Sequence, residues 1–338
     1  MKKILSILFF SLIILIGSLF ITRDGEKEIT VYTAQESEYL DYYLEEFRQL
    51  HPDIKVNVIK ESTGTITAKL LVEKDNPQAD VIWNVAASSV LVLDEYKALY
   101  PYRPKGIEEI DSKFYDTHND VPTWVGTTAW AGAITVNTKE AKEKGLPIPK
   151  SYTDLLNPIY KNEIVMSDPV ATGTGFLMLS CWLQKNGEEA GWRFMDKLNE
   201  NIKMYLPSGS APVKNTALGE QVIGLGYDKE SLNIQKTTPE IKTIFPTDGL
   251  PWEIEACALV NKKNIKKEAK IFYEWAISKN AIRKYGENRT LITLKNNNFK
   301  SEGIPDDINE RLSKNDFIWA SENRNNIISE WTRRYGGR

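Results

Sequence analysis

Three short loops in this chain set glycine beside serine or threonine: Ser62-Thr63-Gly64-Thr65, Thr172-Gly173-Thr174-Gly175 and Ser208-Gly209-Ser210. A loop of this kind that opens a helix leaves backbone N–H groups without intrahelical acceptors, and the neighbouring hydroxyls add further donors. The guest such donors suit is a phosphate or phosphonate. The same residue types also cap helices and form turns with no ligand present, so each loop taken alone is open to both readings. Three of them, delivered by strand ends to one edge, tilt the balance toward an anion. Asp228 and Glu253 bring a second chemistry, with Glu255 competing for the role of Glu253. A carboxylate accepts hydrogen bonds from vicinal hydroxyls, pairs with an ammonium or ligates a metal, and it repels a bare phosphate. Together the two chemistries predict a ligand with phosphate at one end and hydroxyls or an amine at the other: a phosphorylated sugar or an aminophosphonate.

The elements that must position these residues are legible in outline. Residues 28–85 read as strand, polar loop, helix, strand, polar loop, helix, strand, the pattern of an open α/β sheet with ligand loops at its strand ends. Thr33, Gln35, Ser62 to Thr65 and Asn84 fall at those ends and are the first-lobe candidates. Alternating apolar and small residues from Trp124 to Val136 predict a strand long enough to leave one domain and enter another. In the second half, an apolar helix from Phe176 to Gln184 follows the Thr172 loop, the Ser208 loop precedes a helix at 212–219, and QVIGLGYD is a strand with a polar tip at Tyr227 and Asp228. Thr172 to Thr174, Ser208 to Ser210 and Asp228 are thus the second-lobe candidates. Leu250 to Val260 is a second long strand that returns the chain to the first domain. The expected division is residues 29–133 plus 249–338 in one lobe and 134–248 in the other, with two hinge crossings, and both sizes lie within the usual domain range.

A chain of 338 residues exceeds what one hydrophobic core normally supports. Its net charge of -3 and the absence of long like-charge runs point away from nucleic acid. Residues 1–23 carry Lys2 and Lys3 ahead of an 18-residue apolar run, which reads as an export signal or a retained membrane anchor. The expected location is the periplasm or the outer face of the cytoplasmic membrane. Cys181 and Cys257 form no C-x-x-C pair and sit in apolar runs, so they read as small buried hydrophobes, with a single disulfide left open.

No nucleophile elbow, phosphate-binding P-loop, zinc-protease motif or calcium loop is present, and His51 and His118 are isolated. Binding is expected over catalysis, with no cofactor. Trp83, Trp130 and Trp252 lie beside the proposed cleft segments, as sugar-stacking rings or as core.

With these motifs placed, the chain resembles the two-lobed solute-binding proteins of ABC importers, the type II group of ferric-ion, phosphonate, thiamine and hexose-phosphate binders. The residues carrying the resemblance are VYTAQESEYLDYYLEEFRQLHPDIKV, STGT, ADVIWN, SDPVATGTGFLMLSCWLQ, PSGSA and IGLGYD followed by WEIEACALVN. It implies a monomer that closes on a small phosphorylated ligand and hands it to permease subunits in the membrane. The hexose-phosphate binders are closest in pattern, since they place an acid after the strand matching IGLGYD and another in the segment matching WEIEA. Ferric-ion binders of the group use adjacent tyrosines in the second lobe, where this chain has only Tyr227; its adjacent pair, Tyr42-Tyr43, lies in a first-lobe helix. A ferric-ion or 2-aminoethylphosphonate binder remains an alternative, as does a sensor subunit for a membrane histidine kinase.

Overall fold

The structure, a computed structural model, describes residues 27–336. The apolar head expected to direct export lies outside the described residues. No helix among the described residues is long and apolar enough to cross a membrane.

β1 (Lys27–Thr33), α1 (Ser37–Leu50), β2 (Ile54–Lys60), α2 (Thr63–Val72) and β3 (Val81–Ala86) open the fold, with β1 parallel to both β2 and β3. Helix α1 turns Tyr43, Leu44 and Phe47 inward at three- and four-residue spacing. Strand β3 is buried along its whole length, as expected of a strand covered on both faces. After α3 (Ala87–Glu95) comes β4 (Trp124–Asn137), whose 14 residues are all buried. The short α4 (Thr138–Glu143) starts on the Asn137 side chain, which accepts from the Glu140 N–H. In the following turn Ser151 Oγ accepts from the Asp154 N–H at 3.0 Å and the Asp154 carboxylate accepts from the Ser151 N–H at 3.1 Å, a reciprocal cap.

The second lobe is built from β5 (Ile164–Ser167), α5 (Gly173–Asn186), α6 (Glu188–Asn201), β6 (Ile202–Leu206), α7 (Ala211–Ala217), β7 (Ile223–Tyr227), α8 (Asp228–Thr237) and β8 (Ile241–Ile244). The chain then returns along β9 (Trp252–Leu259) to α9 (Lys267–Ala276), α10 (Lys279–Gly286) and β10 (Leu291–Ile292), and ends in α11 (Ile308–Arg311), α12 (Phe317–Glu322) and α13 (Arg324–Tyr335).

The strand order is β2-β1-β3-β9-β4-β7-β5-β6, with β8 and β10 both attached to β4. Strand β4 runs antiparallel to β9 from Trp124 to Ala131, then exchanges that partner for β7 from Gly132 to Val136. One strand therefore serves both lobes. Val31, Phe47, Val81, Leu259 and Phe272 belong to one core, and Ile134, Met166, Phe176, Leu179 and Leu225 to another.

The C-terminal region differs from the sequence expectation, which put residues 249–338 in the first lobe. The Asp316 side chain caps a new helix by accepting from the Ile318 and Trp319 N–H groups, so the region is broken into short pieces. Ile327, Trp331 and Tyr335 of α13 pack into the second core, and Arg334 and Tyr335 bond Asp196 of α6 at 2.9 and 2.6 Å. The apolar face of α13 fits that core, and the chain passes between the lobes once more than expected. Cys181 and Cys257 are both buried and unpaired.

Candidate ligand cleft

The helices that start at the strand ends set the geometry between the lobes. Ser62 and Thr63 at the start of α2, Thr172, Gly173 and Thr174 at the start of α5, and Ser208 and Gly209 ahead of α7 all line one cleft. Within α5, the Gly175 N–H is taken by Thr172 Oγ1 at 2.9 Å and the Phe176 N–H by the Thr172 carbonyl at 3.1 Å. Gly173 and Thr174, the first residues of the helix, are the ones whose N–H groups precede its ladder. Ahead of α7, the Ser208 hydroxyl accepts from the Ser210 and Ala211 N–H groups at 3.3 Å. Thr172 and Ser208 therefore spend hydroxyls on capping, as their residue types allow with no ligand present. The helix ends carry partial positive charge, and Lys60 adds a full one at the rim.

The lobes touch beside these helix ends. The Gly64 N–H donates to the Ala171 carbonyl at 3.0 Å, and a side chain at Gly64 would put its Cβ 2.1 Å from the Val170 carbonyl oxygen. Asn233 donates to the Tyr39 hydroxyl at 3.0 Å. Lys214 lies between Glu38 of the first lobe, at 3.2 Å, and Glu230 of the second, at 3.5 Å. Burial opposes the charge on Lys214, yet the two acids outweigh it and hold its pKa above the ordinary value.

The inner wall is a network that sequence reading missed. Arg289, in the turn between α10 and β10, is 3 % exposed and lines the cleft with Glu255 and Tyr227. Its guanidinium donates to Glu255 Oε1 at 2.6 Å, to Gln35 Oε1, to the Tyr227 hydroxyl and to the Asn288 carbonyl. Glu255 Oε2 accepts from Gln35 Nε2 at 3.0 Å and from Thr128 Oγ1 at 2.7 Å. Burial works against the cation, but Glu255 beside it prevails and Arg289 stays well above its usual pKa. Burial likewise pushes the Tyr227 phenol well above its usual range, with Arg289 pulling the other way. The hydroxyl donates to the Asn288 carbonyl, so it is held as a neutral phenol.

Of the first-lobe candidates, Ser62, Thr63 and Asn84 line the cleft. Thr33 and Gln35 lie behind it, fully buried, with Thr33 Oγ1 accepting from the Gln35 N–H at 3.2 Å. Gly64 is at the lobe contact, and the Thr65 hydroxyl pairs with Ser62 Oγ at 3.2 Å. Of the second-lobe candidates, Ser210 is turned toward Ser208 Oγ at 3.1 Å.

The two acids need correction. Asp228 is wholly buried, accepting from Thr290 Oγ1 and from the Ala131 N–H at 3.2 Å. It follows Tyr227, whose side chain takes the cleft face, and it turns inward to stitch α8 to β4 and to the segment before β10. Burial raises its pKa, and the Thr290 hydroxyl offsets part of the shift. Glu253 lies two residues from the cleft-lining Glu255, accepts from the Ile254 N–H at 3.0 Å and faces Ser88 and Arg324. Burial pushes its pKa up to about 7, opposed by Ser88, the Ile254 N–H and Arg324.

Among the tryptophans, Trp130 lines the cleft. Trp83 is core, donating to the Tyr285 hydroxyl at 3.2 Å, and Trp252 packs edge-on against Phe317. Among the described residues, no group of three or more His, Cys, Asp or Glu side chains is arranged to hold a metal ion.

Comparison with known proteins agrees with this architecture. The family profile of the bacterial extracellular solute-binding proteins matches residues 42–308. An uncharacterized protein of Haemophilus influenzae is 28 % identical over 82 % of each chain. The periplasmic binding protein P5PA superimposes with a TM-score of 0.83 at 25 % identity, covering 91 % of this chain and 99 % of its own. AfuA from Actinobacillus pleuropneumoniae, solved with fructose-6-phosphate bound, gives a TM-score of 0.85 at 24 % identity over 92 % of this chain and 99 % of its own. With two lobes, a cleft between them and a profile match over most of its length, the chain belongs to the bacterial extracellular solute-binding proteins, in the two-lobed type II group that serves ABC importers.

Proposed function

We propose that this subunit binds a small organophosphate, a sugar phosphate in the first instance, between its lobes and presents it to a membrane permease. One observation carries the reading: the starts of two helices, one from each lobe, meet the Ser208-Gly209 loop of the second lobe on a single cleft. A phosphate there accepts from the Gly173 and Thr174 N–H groups and from the Thr63 and Ser208 loops, so it touches both lobes. Only a ligand with such differential contacts can shift an open-to-closed equilibrium. The bound state of AfuA supports the choice of ligand class by analogy of fold.

Iron fits the site less well. A hard trivalent cation wants phenolate oxygen, and Tyr227 is a buried neutral phenol that already donates to Asn288 and accepts from a guanidinium. Binding iron there would set it against Arg289.

The test is a titration followed by the fluorescence of cleft-lining Trp130 and by thermal shift. Fructose 6-phosphate, glucose 6-phosphate, inorganic phosphate, fructose and ferric citrate are compared. A ligand at a hundredfold excess over its Kd adds about 2.7 kcal/mol of stability. Stabilisation by sugar phosphates and not by fructose or ferric citrate is expected. Stabilisation by ferric citrate alone sinks the ligand assignment and leaves the family untouched.

A further inference from the structure

We propose that the inner end of the cleft is a donor-rich subsite, centred on the Asn84 amide, that favours organophosphates whose far end presents an oxygen acceptor over those ending in an ammonium. This rests on the organophosphate reading above and adds what the other end of the ligand must be.

Asn84 is 1 % exposed and lines the cleft, and its Nδ2 has no hydrogen-bond partner. The amide is oriented by its other end, because Oδ1 accepts from Thr127 Oγ1 at 2.7 Å and from Cys257 Sγ at 3.2 Å. Burial pushes the Cys257 thiol up and keeps it a donor, so the oxygen belongs on that side and the N–H pair on the other. The backbone is shaped to the same end. Between Ile82 and Val85, β3 spends three steps where β9 spends two, and Asn84 takes up the bulge in the left-handed region at φ 53°. Bulges beside sites re-aim a side chain, and Asn is among the few residues that tolerate this conformation.

The neighbouring carboxylate is already charge-paired, by Arg289. The Nε–H of Arg289 is also buried without a partner. Both Glu255 oxygens are engaged, by Arg289, Gln35 and Thr128. The Tyr227 hydroxyl is committed to Asn288 and Arg289. A buried donor left unpaired is costly, and a ligand oxygen relieves it. A carbonyl, carboxylate or hydroxyl provides that oxygen. An ammonium has donors and no acceptor, so it leaves Asn84 Nδ2 unsatisfied and faces a guanidinium, with the adjacent Glu255 carboxylate already charge-paired to that guanidinium. Glu36 and Glu61 lie at the outer rim, where solvent weakens any pairing with an amine.

The experiment is calorimetric titration of the purified protein with glycerol 3-phosphate, phosphoethanolamine and inorganic phosphate, repeated on Asn84→Asp and Asn84→Gly. Both replacements suit a left-handed backbone; the first keeps Oδ1 and turns the donor into an oxygen, and the second removes the amide. In the parent, glycerol 3-phosphate is expected to bind about 30-fold more tightly than phosphoethanolamine, the worth of one hydrogen bond to a charged or fully buried partner. Asn84→Asp is expected to narrow or invert that ratio, and Asn84→Gly, which guards against misfolding of the charged variant, to bring it close to one while inorganic phosphate affinity is retained. Equal binding of the two ligands by the parent overturns the proposal and leaves the organophosphate reading standing. So does an unchanged ratio in Asn84→Gly. Failure of every phosphorylated compound to bind overturns that reading, and the proposal falls with it.

Discussion

Arg289 and Glu255 meet at 2.6 Å with side chains 4 % and 8 % exposed, so the cleft wall is closed by a nearly dry ion pair. Breaking such a pair leaves an uncompensated charge inside. Glu255→Ala is expected to cost about 3–5 kcal/mol in urea unfolding. A double replacement, Glu255→Leu with Arg289→Met, is expected to recover most of that loss, because both charges leave together. Equal destabilisation by the single and double variants would show that packing, and not the charge, sets the cost.

Gly64 lies where the two lobes touch beside the cleft. A Cβ at that position lies 2.1 Å from the Val170 carbonyl oxygen, a backbone atom that cannot step aside. Gly64→Ala is expected to hold the lobes apart, giving a larger radius of gyration in small-angle scattering with ligand present. Ligand affinity should fall by about tenfold or more, as the competent closed state loses population. Stability without ligand should stay within about 0.5 kcal/mol of the parent. An unchanged scattering profile in the liganded variant would show that closure tolerates the methyl group.

Glu253 gives the molecule a pH dependence of defined sign. Its pKa rises from an ordinary 4.5 to about 7 on folding, so between those values the native state binds more protons than the unfolded one. Its own contribution to stability is therefore fully present below about 4.5 and is lost as pH rises through about 7, by roughly 3 kcal/mol at most. Asp228 shifts in the same direction, and Glu253→Gln should remove only the Glu253 share. Unfolding midpoints of parent and variant at about pH 5 and about pH 8 check this. A variant that loses as much stability as the parent across that interval would contradict the assignment.

Asp228 is expected to matter for folding and not for ligand choice. Asp228→Ala leaves the Thr290 hydroxyl and the Ala131 N–H buried without an acceptor, at a cost of about 2–3 kcal/mol. The ratio of affinities for fructose 6-phosphate and glucose 6-phosphate should stay within about twofold of the parent ratio. A collapse of that ratio in a folded variant would restore the carboxylate to the ligand site.

The residues that the sequence placed well and badly differ in a physical way. The Thr172 and Ser208 loops were legible because a Ser, Thr or Gly at a helix start has a local meaning, and the helix ends follow from the strand pattern. Side-chain direction at strand ends was not. Tyr227 and Asp228 are consecutive, and at a strand end consecutive side chains take opposite faces; the polar tip was visible, but which residue faced the ligand was not. Glu253 and Glu255 are separated by roughly 7 Å of strand, enough to put one in the cleft wall and the other beside Ser88 and Arg324. Arg289 belongs to no motif, and its pairing with Glu255 across 34 residues arises only when β9 and the turn before β10 come together. The lobe assignment of the C-terminal residues failed for the same reason: nothing local to Ile327, Trp331 and Tyr335 tells which core receives them.

The sharing of β4 also sets an order of assembly. All the strands of the second-lobe sheet lie between Trp124 and Ile244 in sequence, whereas β3 cannot gain its neighbour β9 until residue 259 exists. As the chain leaves the ribosome or a translocation pore, the half whose residues come first must wait, its β1–β2–β3 layer exposing the β3 edge that β9 later covers while the later half is threaded out. Such edges template aggregation. The N-terminal sheet is thus begun first and closed after the second-lobe sheet, and a chaperone that guards this protein in transit has its task over the interval between β3 and β9.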